Sequence, residues 1–154
     1  CAIIFSDILV IPYVLNQQID FVKGVGPKLE LLEIKDLLNL ELNKEKMVDL
    51  SNCYRAIRKV RELLNKNKCL IGFCGAPFTV ACYMIDGESS NGFIRTKKLM
   101  KSEKSKVIKL LKKIVDVSTN CNRYPHNYYH LFCYRILNVL LTYCFGYEDF
   151  YVFT

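Results

Sequence analysis

Cys69-Leu70-Ile71-Gly72-Phe73-Cys74-Gly75-Ala76-Pro77-Phe78-Thr79-Val80-Ala81-Cys82-Tyr83-Met84 is the stretch on which the fold turns. The unbroken apolar run from Cys69 to Cys74 predicts a strand apolar on both faces, as in a parallel sheet covered by helices. Gly75-Ala76-Pro77 breaks that strand, Thr79 can cap, and Val80 to Ile85 starts a helix. The beginning of the chain repeats the pattern. Ala2-Ile3-Ile4-Phe5 is a short apolar run, followed by polar Ser6-Asp7 at its carboxyl end.

Between these runs, Ile8 to Leu15 stays apolar through Pro12, where the chain turns or starts a new element. Gly24-Val25-Gly26-Pro27 reads as a loop, and residues 29 to 48 as short helical or irregular surface structure. Cys53 to Asn65 is an amphipathic helix with Ile57, Val60 and Leu64 on one side and Ser51 or Asn52 as N-cap. Asp86 to Gly92 is a loop, and Ser105 to Val117 a basic amphipathic helix. The order strand, loop, helix, strand, helix, loop, helix implies parallel βαβ units with right-handed crossovers. Open sheets and part of a (β/α)8 barrel both satisfy it, and periodicity does not choose between them.

At 154 residues, 51% hydrophobic and 24% charged, the chain suits one soluble domain with a core. A net charge of +7 favours anionic partners. The cluster Lys97, Lys98, Lys101, Lys104 and Lys106 reads as a solvated helix face, because no nucleic-acid motif accompanies it and no aromatics interleave. The eight cysteines contain no C-x-x-C pair, so neither a zinc site nor a disulfide framework is expected. His126 and His130 could share a helix face but lack a third ligand. Reduced thiols in a cytosol are the default expectation, and Cys1, already inside an apolar run, suggests a missing start.

The composition changes at about residue 118. Every lysine lies at or before Lys113, whereas seven of the ten tyrosines lie at or after Tyr124. This predicts a division into residues 1–117 and an atypical tail, 118–154, of frameshifted or disordered character. The apolar part of the tail, Leu131 to Phe145, contains Arg135 and is too short for a membrane span.

Asp7 is the first candidate for chemistry. An aspartate at the carboxyl end of a barrel strand faces the active-site mouth, while its plain reading is a helix N-cap or turn former. Tyr83 is the second, and its plain reading is a helix aromatic packing on the strand at Leu70 to Phe73. Gly72, Gly75 and Pro77 shape the turn where backbone can come close to a large ligand. Ile4 and Phe5 are candidates for pocket wall or plain core. Cys74, with no base in a recognisable position, is a small buried hydrophobe.

Ala2-Ile3-Ile4-Phe5-Ser6-Asp7-Ile8-Leu9-Val10-Ile11-Pro12 resembles the corresponding segment of the uroporphyrinogen decarboxylases almost residue for residue, and Gly72 to Met84 resembles a second segment of that family. The resemblance runs from Ala2 to about Asp116 and is weak over 29 to 50. It implies an α/β fold, here an incomplete (β/α)8 TIM barrel, since a full barrel takes about 250 residues. It also implies a cytoplasmic carboxy-lyase that removes four CO2 from uroporphyrinogen without metal or organic cofactor. No nucleic-acid or membrane partner is implied, and full-length relatives are expected to be homodimers.

By the same resemblance Asp7 is catalytic, accepting hydrogen bonds from the pyrrole N–H groups, and Tyr83 is catalytic, its hydroxyl reaching the aspartate and the substrate side chains. Ile4, Phe5, Gly72, Gly75 and Pro77 then bind substrate. Asp86 departs from the family's glutamate before glycine. The family's arginine-rich clamp and its later serine and histidine contacts have no counterpart here, so the chain alone is expected to be inactive. Two alternatives stand beside this reading. One is a non-catalytic remnant of a disrupted gene. The other is a corrinoid-linked methyltransferase of the same superfamily, whose zinc-binding His-x-Cys pair is absent from the sequence.

Overall fold

A computed structural model of the chain describes residues 1–5, 7–24, 26–72, 75–88 and 92–122. Ser6, Phe73, Cys74 and the stretch 123–154, with His126 and His130, lie outside them.

The two apolar runs form strands β1 (Ala2–Ile4) and β4 (Leu70–Gly72). They pair in parallel, with Ala2 opposite Leu70, Ile3 opposite Ile71 and Ile4 opposite Gly72. The expected parallel unit therefore exists, and its two carboxyl ends leave the sheet side by side. The strands are not buried on both faces, however. Ile3 is 55% and Ile71 43% exposed. Their side chains point to one face of a sheet that has only two strands, and among the described residues no further strand or helix covers that face.

A new element does start around Pro12. The proline lies in the first turn of α1 (Val10–Val14), where a missing N–H costs nothing. The stretch read as a loop at Gly24–Pro27 is in part strand: Gly26 and Pro27 begin β3 (Gly26–Leu29), which pairs antiparallel with β2 (Ile19–Val22), while Val25 lies outside the described residues. Pro27 sits within β3, a position open to proline only where the strand has a free edge.

Residues 29 to 48 hold short helices, α2 (Ile34–Asn39) and most of α3 (Lys44–Asp49), joined by irregular segments, yet they are not merely surface. Leu29, Ile34 and Leu37 are buried. Asn43 caps α3 by accepting from the N–H groups of Glu45 and Lys46.

The amphipathic helix α4 runs Ser51–Leu63. Ser51 is its first residue rather than its cap, a place taken by Leu50 without any side-chain bond. Helix α5 (Pro77–Asp86) likewise begins before Thr79, with Ala76 at the N-cap and Pro77 at the first helical position. Thr79 is consequently one more exposed helix residue. Helix α6 (Ile94–Ser102) precedes α7 (Lys104–Asn122), which extends beyond both ends of the helix expected there. The clustered lysines fall on these two helices and are exposed, as a solvated face requires.

The core is helical. Val107, Leu110, Leu111, Ile114, Val115 and Val117 of α7 pack with Val80, Ala81, Met84 and Ile85 of α5, and with Ile34, Leu37, Val14 and Leu15. Two polar side chains tie the layers. Lys113 Nζ donates to the Leu38 carbonyl at 2.7 Å and to that of Leu40, closing the carboxyl end of α2, and this burial lowers its pKa. Gln17, 1% exposed, donates from Nε2 to the carbonyls of Glu30 (2.9 Å) and Met84 (3.0 Å), joining the hairpin to α5. A closed barrel is not present among the described residues.

Candidate functional site at the carboxyl edge of the parallel pair

Asp7 lies three residues beyond Ile4, and Gly75 three beyond Gly72, so the register of β1 and β4 brings both connections to one edge. They touch. A Cβ on Gly75 would stand 3.0 Å from Ile8 Cβ and 2.9 Å from Val80 Cγ2. Only glycine permits this approach of the β4 connection to the residue after Asp7. Gly75 is thus a spacer between the two segments, while Gly72 ends β4 opposite Ile4, which is half-buried in β1.

The Asp7 carboxylate accepts the Leu9 N–H through Oδ1 at 2.8 Å, a turn that leads into α1. Its plain role as a turn former is realised, and the side chain is still exposed. Phe5, 76% exposed, presents a flat apolar side chain two residues away.

Pro77 opens α5 and is buried. Tyr83 is on the same helix, roughly 9 Å further along its axis. It is half-buried, packs against the core, and meets the ring of Phe93 edge-on, with centroids 5.8 Å apart and planes at 63°. The plain reading sets this ring on the strand at Leu70 to Phe73, of which Phe73 lies outside the described residues; among the described residues its ring contact is with Phe93.

The joint that holds this end of α5 has no counterpart among the sequence expectations. Asp86 Oδ1 accepts the Arg95 N–H at 3.0 Å, and Oδ2 accepts both the N–H (3.0 Å) and the hydroxyl (2.5 Å) of Thr96. Asp86 therefore caps α6 from the preceding helix. The Arg95 guanidinium donates to the carbonyls of Ile85 and Leu32 and to Glu33. Gly87 ends α5 at φ +81°, where a Cβ would meet Leu31 Cδ2 at 2.8 Å and the Leu29 carbonyl oxygen at 3.0 Å. Only the Asp86-Gly87 pair is visible in the sequence, because the partners of Asp86 lie nine and ten residues on and follow no local motif.

Burial pushes the Cys82 thiol up to about 11, with Thr96 opposing and Asp86 adding to the rise. That thiol is protonated at neutral pH and unsuited to nucleophilic work. Among the described residues, no group of three or more His, Cys, Asp or Glu side chains is placed to hold a metal. No helix among them is long and apolar enough to cross a membrane.

The uroporphyrinogen decarboxylase (URO-D) family model matches residues 1–124. The chain is 43% identical over 104 residues to a uroporphyrinogen decarboxylase of Wolinella succinogenes, covering 66% of this chain and 30% of that protein. It is 42% identical over 114 residues to one from Helicobacter pylori, covering 73% and 33%. A Campylobacter jejuni relative of the same name is 39% identical over 118 residues, covering 75% and 34%. The chain thus spans about a third of the length of the curated relatives it matches.

Proposed function

This chain belongs to the uroporphyrinogen decarboxylase family, and from that premise we propose that it forms one part of a uroporphyrinogen site on an incomplete (β/α)8 barrel. Asp7 is the acceptor for the pyrrole N–H groups. Tyr83 reaches the substrate side chains, Ile4 and Phe5 are apolar wall, and Gly72, Gly75 and Pro77 shape the turn against the ligand. The observation that carries this reading is the parallel register of β1 with β4. It puts the connections bearing Asp7 and Gly75 in contact at a carboxyl edge, where barrel enzymes gather their working groups.

The chemistry follows from the substrate. A pyrrole carbon takes a proton, the acetate C–C bond breaks so that its electrons neutralise the ring cation and CO2 leaves, and the resulting exocyclic methylene takes a second proton to become the methyl group while the ring carbon gives up the first and the pyrrole is restored. A fixed carboxylate beside the N–H groups stabilises that cation more than the neutral ground state. The proton donor and the clamp for the carboxylates belong, in this reading, to the two thirds of the relatives' length that the chain does not match. Cytoplasmic location and homodimeric assembly of complete relatives complete the reading. So does a unit spanning residues 1–117, with 118–154 as an atypical tail.

Anaerobic titration of the purified 154-residue chain with uroporphyrinogen III, followed by chromatography for coproporphyrinogen III, tests the proposal. Saturable binding without product is expected. A folded chain that does not bind would overturn the assignment.

A further inference from the structure

Two non-glycine residues among those described have positive φ, Asn16 and Phe93. Asparagine visits that region readily, whereas a bulky residue there is held by its surroundings. Phe93 (φ 54°, ψ 53°) is the N-cap of α6 and offers no side-chain cap. Asp86 does that work from α5 through Arg95 and Thr96, the latter 1% exposed. Arg95 fastens the same turn to Leu32, Glu33 and Ile85. The Phe93 carbonyl accepts the Lys97 N–H at 3.0 Å, so its backbone is fixed on the helix side as well. What the turn delivers is the Phe93 ring, set edge-on to Tyr83.

We propose that Phe93 is a positioning residue for Tyr83. The Asp86–Thr96–Arg95 joint holds Phe93 left-handed, and the Phe93 ring fixes the tilt of the Tyr83 phenol and hence where its hydroxyl is presented. The inference rests on Tyr83 facing substrate. An edge-on ring contact restrains the tilt of the phenol through its apolar faces and edges.

The test uses the full 154-residue chain with 13C-labelled tyrosine rings, the Tyr83 signal being assigned by its loss in Tyr83→Phe. Phe93→Gly removes the ring while easing the left-handed backbone, so it retains the fold. Phe93→Leu keeps bulk without a ring, and Phe93→Tyr restores the ring. In Phe93→Gly and Phe93→Leu the Tyr83 signal is expected to move, that of Tyr13 to stay, and uroporphyrinogen III affinity to fall roughly two- to tenfold. Phe93→Tyr is expected to restore both signal and affinity. A Tyr83 signal unmoved in Phe93→Gly, or Tyr13 and Tyr83 signals moving together, would overturn the proposal. If the signal moves as expected but the unmutated chain has no affinity for uroporphyrinogen III, Phe93 positions Tyr83 and the substrate assignment is what fails.

Discussion

The behaviour of single residues here is set by what surrounds their polar atoms. Cys82 is 4% exposed and its thiol is raised to about 11. A raised thiol pKa means the folded state keeps its proton where the unfolded state, near 9, has lost it. The native state is therefore favoured below pH 9 and loses that advantage as pH rises towards 11. Melting temperature is expected to fall across this window more steeply in the unmutated chain than in Cys82→Ala; equal slopes would contradict the assignment. Tyr13 shows the contrary case of an exposed pair. Its hydroxyl donates to Asp49 at 2.9 Å, which raises its pKa, and Lys46 lies over its ring. This contact links α1 to α3 at the surface, where such pairs add little.

At the scale of elements, the joint between α5 and α6 is the least conventional part of the fold. Asp86→Ala removes the cap of α6 and leaves two backbone donors of its first turn without their carboxylate. A loss of about 1–2 kcal/mol is expected in denaturant unfolding, against little change for a surface carboxylate such as Glu45→Ala. Gly87→Ala forces a side chain into left-handed backbone and against the Leu29 carbonyl. It should cost about 1–3 kcal/mol by the same measurement. Strands and helices are legible in the sequence wherever a run is long or periodic, as at β1, β4, α4, α5 and α7. The hairpin is not, because Ile19–Val22 and Gly26–Leu29 lack alternation and one holds a proline. Its stability comes from distant partners, such as the 2.6 Å bond from the Leu29 N–H to the Gly87 carbonyl. The caps of α4 and α5 mislead because Ser51 and Thr79 are good capping types that stand one position or more inside their helices. The site residues are legible only through resemblance. Spacing alone makes Asp7 a turn former and Tyr83 a packing aromatic, and both have contacts of those kinds.

The described residues form a helical core and a parallel pair that none of them covers on the face of Ile3 and Ile71. Stability is accordingly most sensitive to cavities in α7: Leu110→Ala, at a fully buried position, should cost about 2–5 kcal/mol in denaturant unfolding. Ile3 and Ile71, by contrast, stand opposed on the open face of the sheet. Apolar strands left uncovered are sites of association. Ile3→Lys should raise the concentration at which the chain stays monodisperse in light scattering, with little effect on its melting. Unchanged association would place the sticky surface elsewhere. The chain spans about a third of its relatives' length, and the proposed uroporphyrinogen site rests on Asp7 as its acceptor. The most direct test of that proposal compares the affinity of the chain for uroporphyrinogen III, with four pyrrole N–H donors, and for oxidised uroporphyrin III, with fewer. A preference of about tenfold or more for the reduced ligand is expected from bonds to an ionised acceptor, and Asp7→Asn should abolish it. Equal preference in the two proteins would contradict the account.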